Sequence, residues 1–381
     1  GKIVLQTRDG GLLVIGETQS SDGDIPPKSF NDSQAIVIAK YAMDNATPEG
    51  RLLWKKCFGG SGYREAGSAF ELDDGYLVIG TTLSNDGDVS GNHGLSNRTA
   101  DVWAFKIDQR GNLIWQKCYG GTGSDEGLAA ARETDASGKD TAYVITGSTD
   151  SHDFDVSGRH NPGTVYYSDI WTFSINASGD HEILWQQCYG GSGEEKAHAI
   201  AGSKDNTSWI ITGYTSSTDG DLAGKKSTND EDTWVFRIPR QGTSHPIDPA
   251  FNRVFGGSRN DGMLAIQAVP EGGYIAAGYT ESDDGNISRH YGSAGSRDIW
   301  IIRLTDDGDL IWERNFGGSR DDVGAYVREF PSDKDFYVLG YTASSDYDAL
   351  GKNHGGIVGT SDIFLLKLDP EGNLVSSHGY R

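Results

Sequence analysis

Short apolar runs recur along the chain and define a repeat. One run ends in a glycine six times, at Gly16, Gly80, Gly147, Gly213, Gly278 and Gly340. A Gly-Gly pair and an Asp-x-Trp motif keep the same phase, although the last copy has Asp362 and Phe364 in place of Asp-x-Trp. Self-similarity with a period of about 62 to 67 residues indicates an array of one structural unit. The pattern therefore predicts six copies of one repeat.

Each copy contains four strand-like runs, which in the second copy are AGSAFEL, YLVIGTT, VWAFKI and LIWQKCY. Short glycine-containing links join the first run to the second and the third to the fourth, which is typical of hairpins. No segment keeps an apolar period of 3.6 residues, so we expect almost no helix. Six copies of four antiparallel strands predict an all-β fold, a six-bladed β-propeller. A β-solenoid is the alternative, although its coils are usually shorter and lack paired hairpins.

We expect a single propeller domain over residues 1–381. The predicted blades span approximately residues 1–60, 61–121, 122–191, 192–257, 258–318 and 319–381. By analogy with kelch propellers, the first strand of each blade would be innermost, and no strand would be exchanged to close the ring. The first copy departs from the repeat, with Gln34 where the others have Asp before the third strand. Tryptophans of the third and fourth strands are expected to pack blade against blade.

The links between strands should alternate between two faces. The link from the second strand to the third is about 16 to 20 residues long and rich in Asp, Ser, Gly and Asn, whereas the hairpin links are tight. All long links would share one face with the Gly-Gly links. Binding residues concentrate on loops held by a rigid scaffold, so this long-loop face is the candidate functional face.

An Asp-x-Asp pair recurs in the long links. Two such carboxylates can turn toward one hard cation, and calcium binds six to eight oxygens. The alternative, which we favour, is that these residues form Asx turns. The candidates for a calcium site are Asp22, Asp24, Asp86, Asp88, Asp153, Asp155, Asp219, Asp221, Asp346 and Asp348, with Asp284 and Asn286 in the fifth copy. Histidines of the same links are expected to hydrogen-bond within their loops: His93, His160, His290 and His354.

A second series follows the Gly-Gly pair by four residues. Its members are Asp125, Glu195, Asp261 and Asp322, with Arg64 as the exception. In a kelch-like arrangement this position opens the innermost strand and rings the mouth of the central channel. The five side chains are therefore candidates for ligand binding. The alternative is that each caps backbone N–H groups of the neighbouring turn, and the regular recurrence favours that structural role.

The charge balance narrows the possible partners. Asp and Glu outnumber Lys and Arg by 55 to 33, giving a net charge of -22 that disfavours nucleic acid and anionic membranes. No apolar run reaches the roughly 18 residues of a transmembrane segment. The three cysteines occupy equivalent positions of separate copies, too far apart for disulfides, so Cys57, Cys118 and Cys188 are expected to be buried free thiols.

Two stretches of the second copy resemble known repeats. GYLVIGTTLSNDGDVSGNHG and DVWAFKIDQRGNLIWQKCYGGTGSDEG are similar to the repeat of secreted and surface lipoprotein β-propellers of Bacteroidetes. The resemblance implies an extracytoplasmic protein, secreted or held at the surface by a lipid anchor outside this sequence. It implies no established reaction. Asp108, Gly111 and Trp115 also resemble an Asp-box, a structural hairpin motif of sialidase-type propellers, but no arginine triad can be assigned.

Familiar catalytic motifs are absent from the sequence, including the nucleophile elbow, the P-loop and HExxH. We therefore expect a monomeric, non-enzymatic propeller that binds a glycan or a surface protein on its long-loop face. The alternative is a glycoside hydrolase or polysaccharide lyase with its active site at the channel mouth. An enzyme should break the symmetry there, with Tyr63, Arg64, Arg259 and Arg320 as the first side chains to inspect. A purely structural spacer with calcium-stabilised loops is a third possibility.

Overall fold

A computed structural model provides the structure of the chain. It describes residues 2–20, 22–23, 25, 34–44, 47–94, 98–160, 167–222, 230–242, 244–350 and 361–380. The chain divides into two compact units, Gly1–Tyr189 and Gly190–Arg381, and the division falls in the link between the third and fourth blades. Among the described residues, no helix is long and apolar enough to cross a membrane.

The first unit contains three four-stranded sheets. Its first blade consists of β1 (Ile3–Gln6), β2 (Leu12–Thr18), β3 (Ala35–Asp44) and β4 (Thr47–Phe58). The second consists of β5 (Arg64–Glu71), β6 (Gly75–Thr82), β7 (Asp101–Asp108) and β8 (Leu113–Tyr119). The third consists of β9 (Asp125–Thr134), β10 (Asp140–Thr149), β11 (Asp169–Asn176) and β12 (Ile183–Tyr189).

The second unit contains the other three sheets. The fourth blade consists of β13 (Glu195–Gly202), β14 (Ser208–Thr215), β15 (Asp232–Pro239) and β16 (Asn252–Phe255). The fifth consists of β17 (Asp261–Ala268), β18 (Tyr274–Thr280), β19 (Asp298–Leu304) and β20 (Leu310–Phe316). The sixth consists of β21 (Asp322–Glu329), β22 (Phe336–Thr342), β23 (Asp362–Leu368) and β24 (Leu374–Tyr380). Two single-turn 3₁₀ helices, Pro249–Phe251 and Tyr347–Ala349, are the helical segments of the described chain.

Every sheet is built from four consecutive antiparallel strands. The fold is thus all-β, a β-propeller of six four-stranded blades, and the predicted fold class is confirmed. Each sheet lies within one of the six predicted blade segments, so none of the described strands is exchanged between blades. Within each unit, the first strands of neighbouring blades contact one another, β1 with β5 and β5 with β9, and β13 with β17 and β17 with β21.

The glycine of the second strand has a packing reason in the second to sixth blades. A Cβ on Gly80 would lie 1.9 Å from the carbonyl oxygen of Glu65 on the adjacent β5. At that point the β5–β6 register shifts between Ala66 and Ser68, as at a β-bulge. A bulge brings the backbone of one strand close to the other, which only glycine tolerates. The same register shift and close approach recur in the third to sixth blades, which explains the recurring glycine there.

Tryptophans pack between blades inside each unit, as predicted. The third-strand side chains Trp103, Trp171, Trp234 and Trp300 are at most 1% exposed. The fourth-strand Trp54 donates its indole N–H to the carbonyl of Gln109 on the next blade, at 3.0 Å. Its ring lies against Gly111, where a Cβ would be 2.9 Å away. The turn that carries the Asp-box therefore serves as a packing surface for the preceding blade.

Strand register corrects one sequence assignment. Asp101 pairs with Thr82 across β6 and β7, and the equivalent pairing in the first blade joins Thr18 to Ala35. Ala35, and not Gln34, therefore occupies the position of the Asp that opens the third strand. The sequence alignment was wrong by one residue because the long link has no anchor of its own.

Candidate functional site

The predicted ligand-binding carboxylates are buried in the blades. Asp125, Glu195, Asp261 and Asp322 are all 0% exposed. Asp125 accepts hydrogen bonds from the backbone N–H of Gly121 and the hydroxyl of Ser151, both at 2.8 Å, and from the hydroxyl of Thr149. Glu195, Asp261 and Asp322 each accept the equivalent Gly-Gly N–H at 2.7 to 3.0 Å. These contacts hold the turn between blades, and a role in ligand binding stays a prediction.

Arg64 replaces the carboxylate with the opposite charge. It is also 0% exposed. Its guanidinium donates to the carbonyl oxygens of Gly60 and Gly62 and, at 2.9 Å, to the hydroxyl of Ser84. The turn therefore presents carbonyls where other copies present an N–H. Burial lowers the pKa of Arg64 to about 10, partly offset by Asp86 and Asp88.

The Asp-x-Asp loops hold the Gly-Gly-Ser turns from outside. Asp86 accepts the N–H of Ser61 at 2.6 Å and Asp88 that of Gly59 at 3.0 Å. The same contacts recur for Asp153, Asp155, Asp219, Asp221, Asp284, Asn286 and Asp346. Asp22 is exposed, and Asp24 lies outside the described residues.

This arrangement fits calcium poorly. One oxygen of each carboxylate already accepts a backbone donor, and calcium needs six to eight oxygens. In the described ranges, no group of three or more His, Cys, Asp or Glu side chains could hold a metal ion. The observed contacts are those of turn-stabilising side chains, and calcium binding stays a prediction.

Two Asp-x-Asp loops carry an aromatic residue in place of glycine. Gly87, Gly220 and Gly285 have φ values of 65° to 68°. Phe154 and Tyr347 occupy the same position at φ 51° and 46°, and their side chains are 69% and 59% exposed. Non-glycine residues rarely adopt this left-handed conformation. The two aromatics are thus exposed breaks in the repeat, one in each unit.

A cluster of polar and aromatic side chains distinguishes the second unit. The residue after the second-strand glycine is tyrosine in its three blades, and these side chains are Tyr214, Tyr279 and Tyr341. In the first unit the same position holds Glu17, Thr81 and Ser148. The Tyr279 hydroxyl approaches Glu231 at 3.5 Å, and the Tyr214 hydroxyl donates to Glu194 at 3.3 Å.

Arg297 links three other side chains of this region. Its Nε donates to Glu281 at 3.1 Å, and its guanidinium lies 4.3 Å from the ring centre of Tyr279. Tyr341 interacts with Arg297 through its side chain. Burial raises the pKa of Glu231, and the charge of Glu194 raises it further. We call Glu194, Tyr214, Glu231, Tyr279, Glu281, Arg297 and Tyr341 the tyrosine cluster.

The sequence pattern alone did not predict the tyrosine cluster. Its signal is the triplet Gly-Tyr-Thr, which occurs in the last three copies while the first three read Gly-Glu-Thr, Gly-Thr-Thr and Gly-Ser-Thr. Because this residue varies among the six copies, it does not contribute to the repeat pattern. Of the other side chains singled out for inspection, Tyr63 donates to Glu65 at 3.0 Å in the first unit, Arg320 is exposed and Arg259 is partly buried.

The first unit has a cavity on the side of its tight turns. It measures about 450 Å³ and is lined by turns of all three blades, including Arg8, Asp73, Asp74, Lys106 and Asp140. Its charges are largely matched, because Arg8 lies 2.5 Å from Asp73 and Lys106 lies 2.7 Å from Asp74. The cavity therefore offers hydrogen-bonding groups without a strong net charge.

Comparisons with known proteins add no functional information. No family model and no curated protein matches the chain. Similar solved structures include Kuenenia stuttgartiensis hydrazine synthase, at 11% identity over 73% of this chain with a TM-score of 0.41. This chain spans 62% of that one. Sqt1 from Chaetomium thermophilum is 11% identical over 97% of this chain and 68% of its own, with a TM-score of 0.40. A Synechocystis apocarotenoid oxygenase mutant has 11% identity, coverages of 91% and 70%, and a TM-score of 0.40.

Proposed function

We propose that this protein is a non-enzymatic, extracytoplasmic binding propeller whose ligand is a glycan, held at the tyrosine cluster of the second unit. The observation that carries the proposal is the break in the repeat, which places three tyrosines among carboxylates and an arginine at the ends of strands that carry the long links. Structural positions recur in every blade, whereas this set does not.

The chemistry of the cluster suits a sugar. The ring of Tyr341, which is 38% exposed, offers an apolar face with a polar edge, and these match the C–H faces and hydroxyls of a pyranose. Glu231 and Glu281 supply hydrogen-bond acceptors, and Arg297 supplies donors in a fixed fork. The net charge of -22 disfavours strongly anionic ligands. Neutral oligosaccharides are therefore the preferred class, and a surface protein would engage the cluster only through its glycan.

A glycan array followed by calorimetry tests the proposal. The full chain is applied to an array of neutral and acidic oligosaccharides, and the best neutral binders are titrated into the wild type and Arg297→Gln. Loss of Arg297 removes donors and the stacking partner of Tyr279, so affinity should fall about tenfold. Ser148→Ala, at the equivalent of Tyr341 in the first unit, is the matched control and should bind normally.

Two outcomes would contradict the assignment of glycan binding to the tyrosine cluster. One is the absence of any retained neutral glycan. The other is binding that survives Arg297→Gln but is lost in Lys106→Gln, which would place the ligand in the cavity of the first unit.

A hydrolase or lyase is the second candidate. Glu231 favours it, because a carboxylic acid with a raised pKa beside another carboxylate is what general acid catalysis requires. Incubation of the array binders with the protein, followed by chromatography, tests this function. Shortened products that disappear in Glu231→Gln would replace the binding proposal with an enzymatic one.

A further inference from the structure

Blade junctions inside the units bring two buried carboxylates together. The first belongs to the Asp that opens the third strand of one blade, and the second belongs to the acid that opens the first strand of the next blade. Between the fifth and sixth blades these are Asp298 and Asp322, and between the second and third they are Asp101 and Asp125. All four side chains are 0% exposed.

The two carboxylates meet over the first glycine of the Gly-Gly pair. A Cβ on Gly317 would lie 2.6 Å from Oδ2 of Asp322 and 2.7 Å from Oδ1 of Asp298. A Cβ on Gly120 would lie 2.5 Å from Oδ2 of Asp125 and 3.1 Å from Cγ of Asp101. Both acids of a junction thus approach the same point, and only a glycine leaves room for them.

At each junction the third-strand Asp has one oxygen without a protein donor, and between the fifth and sixth blades Oδ1 of Asp322 has none either. Oδ2 of Asp101 accepts the backbone N–H of His93 at 3.0 Å and contacts its Nδ1 at 2.7 Å. Oδ2 of Asp298 accepts the N–H of Tyr291 at 2.6 Å. Oδ1 of Asp101 and Oδ1 of Asp298 are buried without a hydrogen-bond partner. A buried carboxylate oxygen that is ionised and unpaired is costly.

We propose that each of these carboxylate pairs holds one shared proton, which sits on the unpaired Oδ1 and forms a hydrogen bond across the blade junction. The proton supplies the missing partner and removes one of two like charges. Two carboxylates in one low-dielectric site otherwise repel each other, and sharing a proton is the usual resolution.

The junction between the first and second blades supports a direct interaction between the two positions. There the two positions are occupied by Ala35 and Arg64. Where the acid of the first strand is replaced by a cation, its partner is replaced by a residue without charge. The two positions change together within one chain, as expected if their side chains interact directly.

The neighbouring histidines oppose the effect of burial without outweighing it: His93 lowers the pKa of Asp101, and the charge of His290 lowers that of Asp298. His93 and Asp155 face Asp101, and His290, Tyr291 and Asp348 face Asp298. Burial raises the pKa of Asp101 to about 6 and that of Asp298 to about 7. Burial also raises the pKa of Asp125 to about 7, and it raises the pKa of Asp322.

These raised pKa values make the stability of the fold depend on pH. In the folded chain these acids keep a proton up to about pH 6 to 7, whereas an unfolded aspartate loses it near about pH 4. The folded state therefore binds more protons in this interval, and raising the pH through it favours unfolding. Each pair contributes at most a tenfold rise of the unfolding equilibrium constant per pH unit.

Asparagine at the proton-bearing position tests the proposal. Asp101→Asn and Asp298→Asn each provide a permanent N–H donor at Oδ1 and keep the acceptor at Oδ2. The unfolding constant of the full chain is measured in denaturant from pH 5 to 7.5. In each variant, the unfolding constant should rise less steeply with pH than in the wild type, by up to tenfold per pH unit. Asp180→Asn and Asp307→Asn replace exposed carboxylates of the same units and should leave the slope unchanged.

Infrared spectroscopy at pH 6 provides an independent reading, because ordinary carboxyl groups are ionised there. The carbonyl band of a protonated carboxylic acid should appear in the wild type and weaken in each asparagine variant. An unchanged slope in both variants, or no such band, would overturn the proposal. A band that is absent while chelator lowers the melting temperature would show that a cation, and not a proton, joins the carboxylates.

Discussion

The two units are built from the same three-blade pattern but differ at two positions. In the first unit the residues before the last one of the second strands are Glu17, Thr81 and Ser148, and one junction contains Arg64. In the second unit the corresponding residues are three tyrosines, and its junctions keep their acids. One difference lies near the ends of the second strands, where Tyr279 is 7% exposed and Tyr341 is 38% exposed, and the other lies in the interior of a junction. The contrast separates positions that recur because they hold blades together from positions that vary between the units.

The largest effect is expected on stability, at the blade junction that contains Arg64. Arg64→Ala removes a fully buried side chain and leaves the carbonyls of Gly60 and Gly62 without their donor. A cavity and unsatisfied buried carbonyls together should lower the free energy of unfolding by roughly 3 kcal/mol. Denaturant unfolding measures it. Arg320→Ala, at an exposed position of the second unit, should change stability by less than about 0.5 kcal/mol. Equal unfolding midpoints for the two variants would contradict the structural role of Arg64.

The next largest effect is expected on glycan affinity, at the position of Tyr341. Tyr341→Ser gives the second unit the side chain that Ser148 provides in the first. Tyr341 is 38% exposed, so stability should change little. Glycan affinity should fall about tenfold, about 1.4 kcal/mol, because a stacking face is lost. The reverse change, Ser148→Tyr, should confer no binding, since Ala100 stands where the second unit has Arg297. Binding gained by Ser148→Tyr would show that the tyrosine alone defines the site.

The sequence predicted the scaffold well and the site poorly, for a physical reason. Gly80 recurs because a bulge leaves no room for a Cβ, and Trp103 recurs because the space between blades must be filled. Such constraints act in every copy, so repetition reveals them. Asp125 also recurs, and its recurrence reflects hydrogen bonds to the Gly-Gly turn. Tyr279 lies in β18 and Arg297 at the far end of the long link that follows, and only the pairing of β18 with β19 brings them together.

The aromatic Asp-x-Asp loops should show the smallest effect, and here the two units should behave alike. Phe154→Gly and Tyr347→Gly restore the glycine found in other copies. Glycine relieves a left-handed backbone that costs a bulky residue about 1 kcal/mol or more. It also adds about 0.5 to 1 kcal/mol of chain entropy to the unfolded state. The ring contacts that are lost, 4.9 Å from Phe154 to His93 and 5.3 Å from Tyr347 to Tyr291, are partly exposed. The opposing contributions should leave stability within about 0.5 kcal/mol of the wild type in thermal unfolding. A loss above about 1.5 kcal/mol in one unit only would mean that its aromatic ring is part of the blade packing, and the exposed loops would then be a further difference between the units.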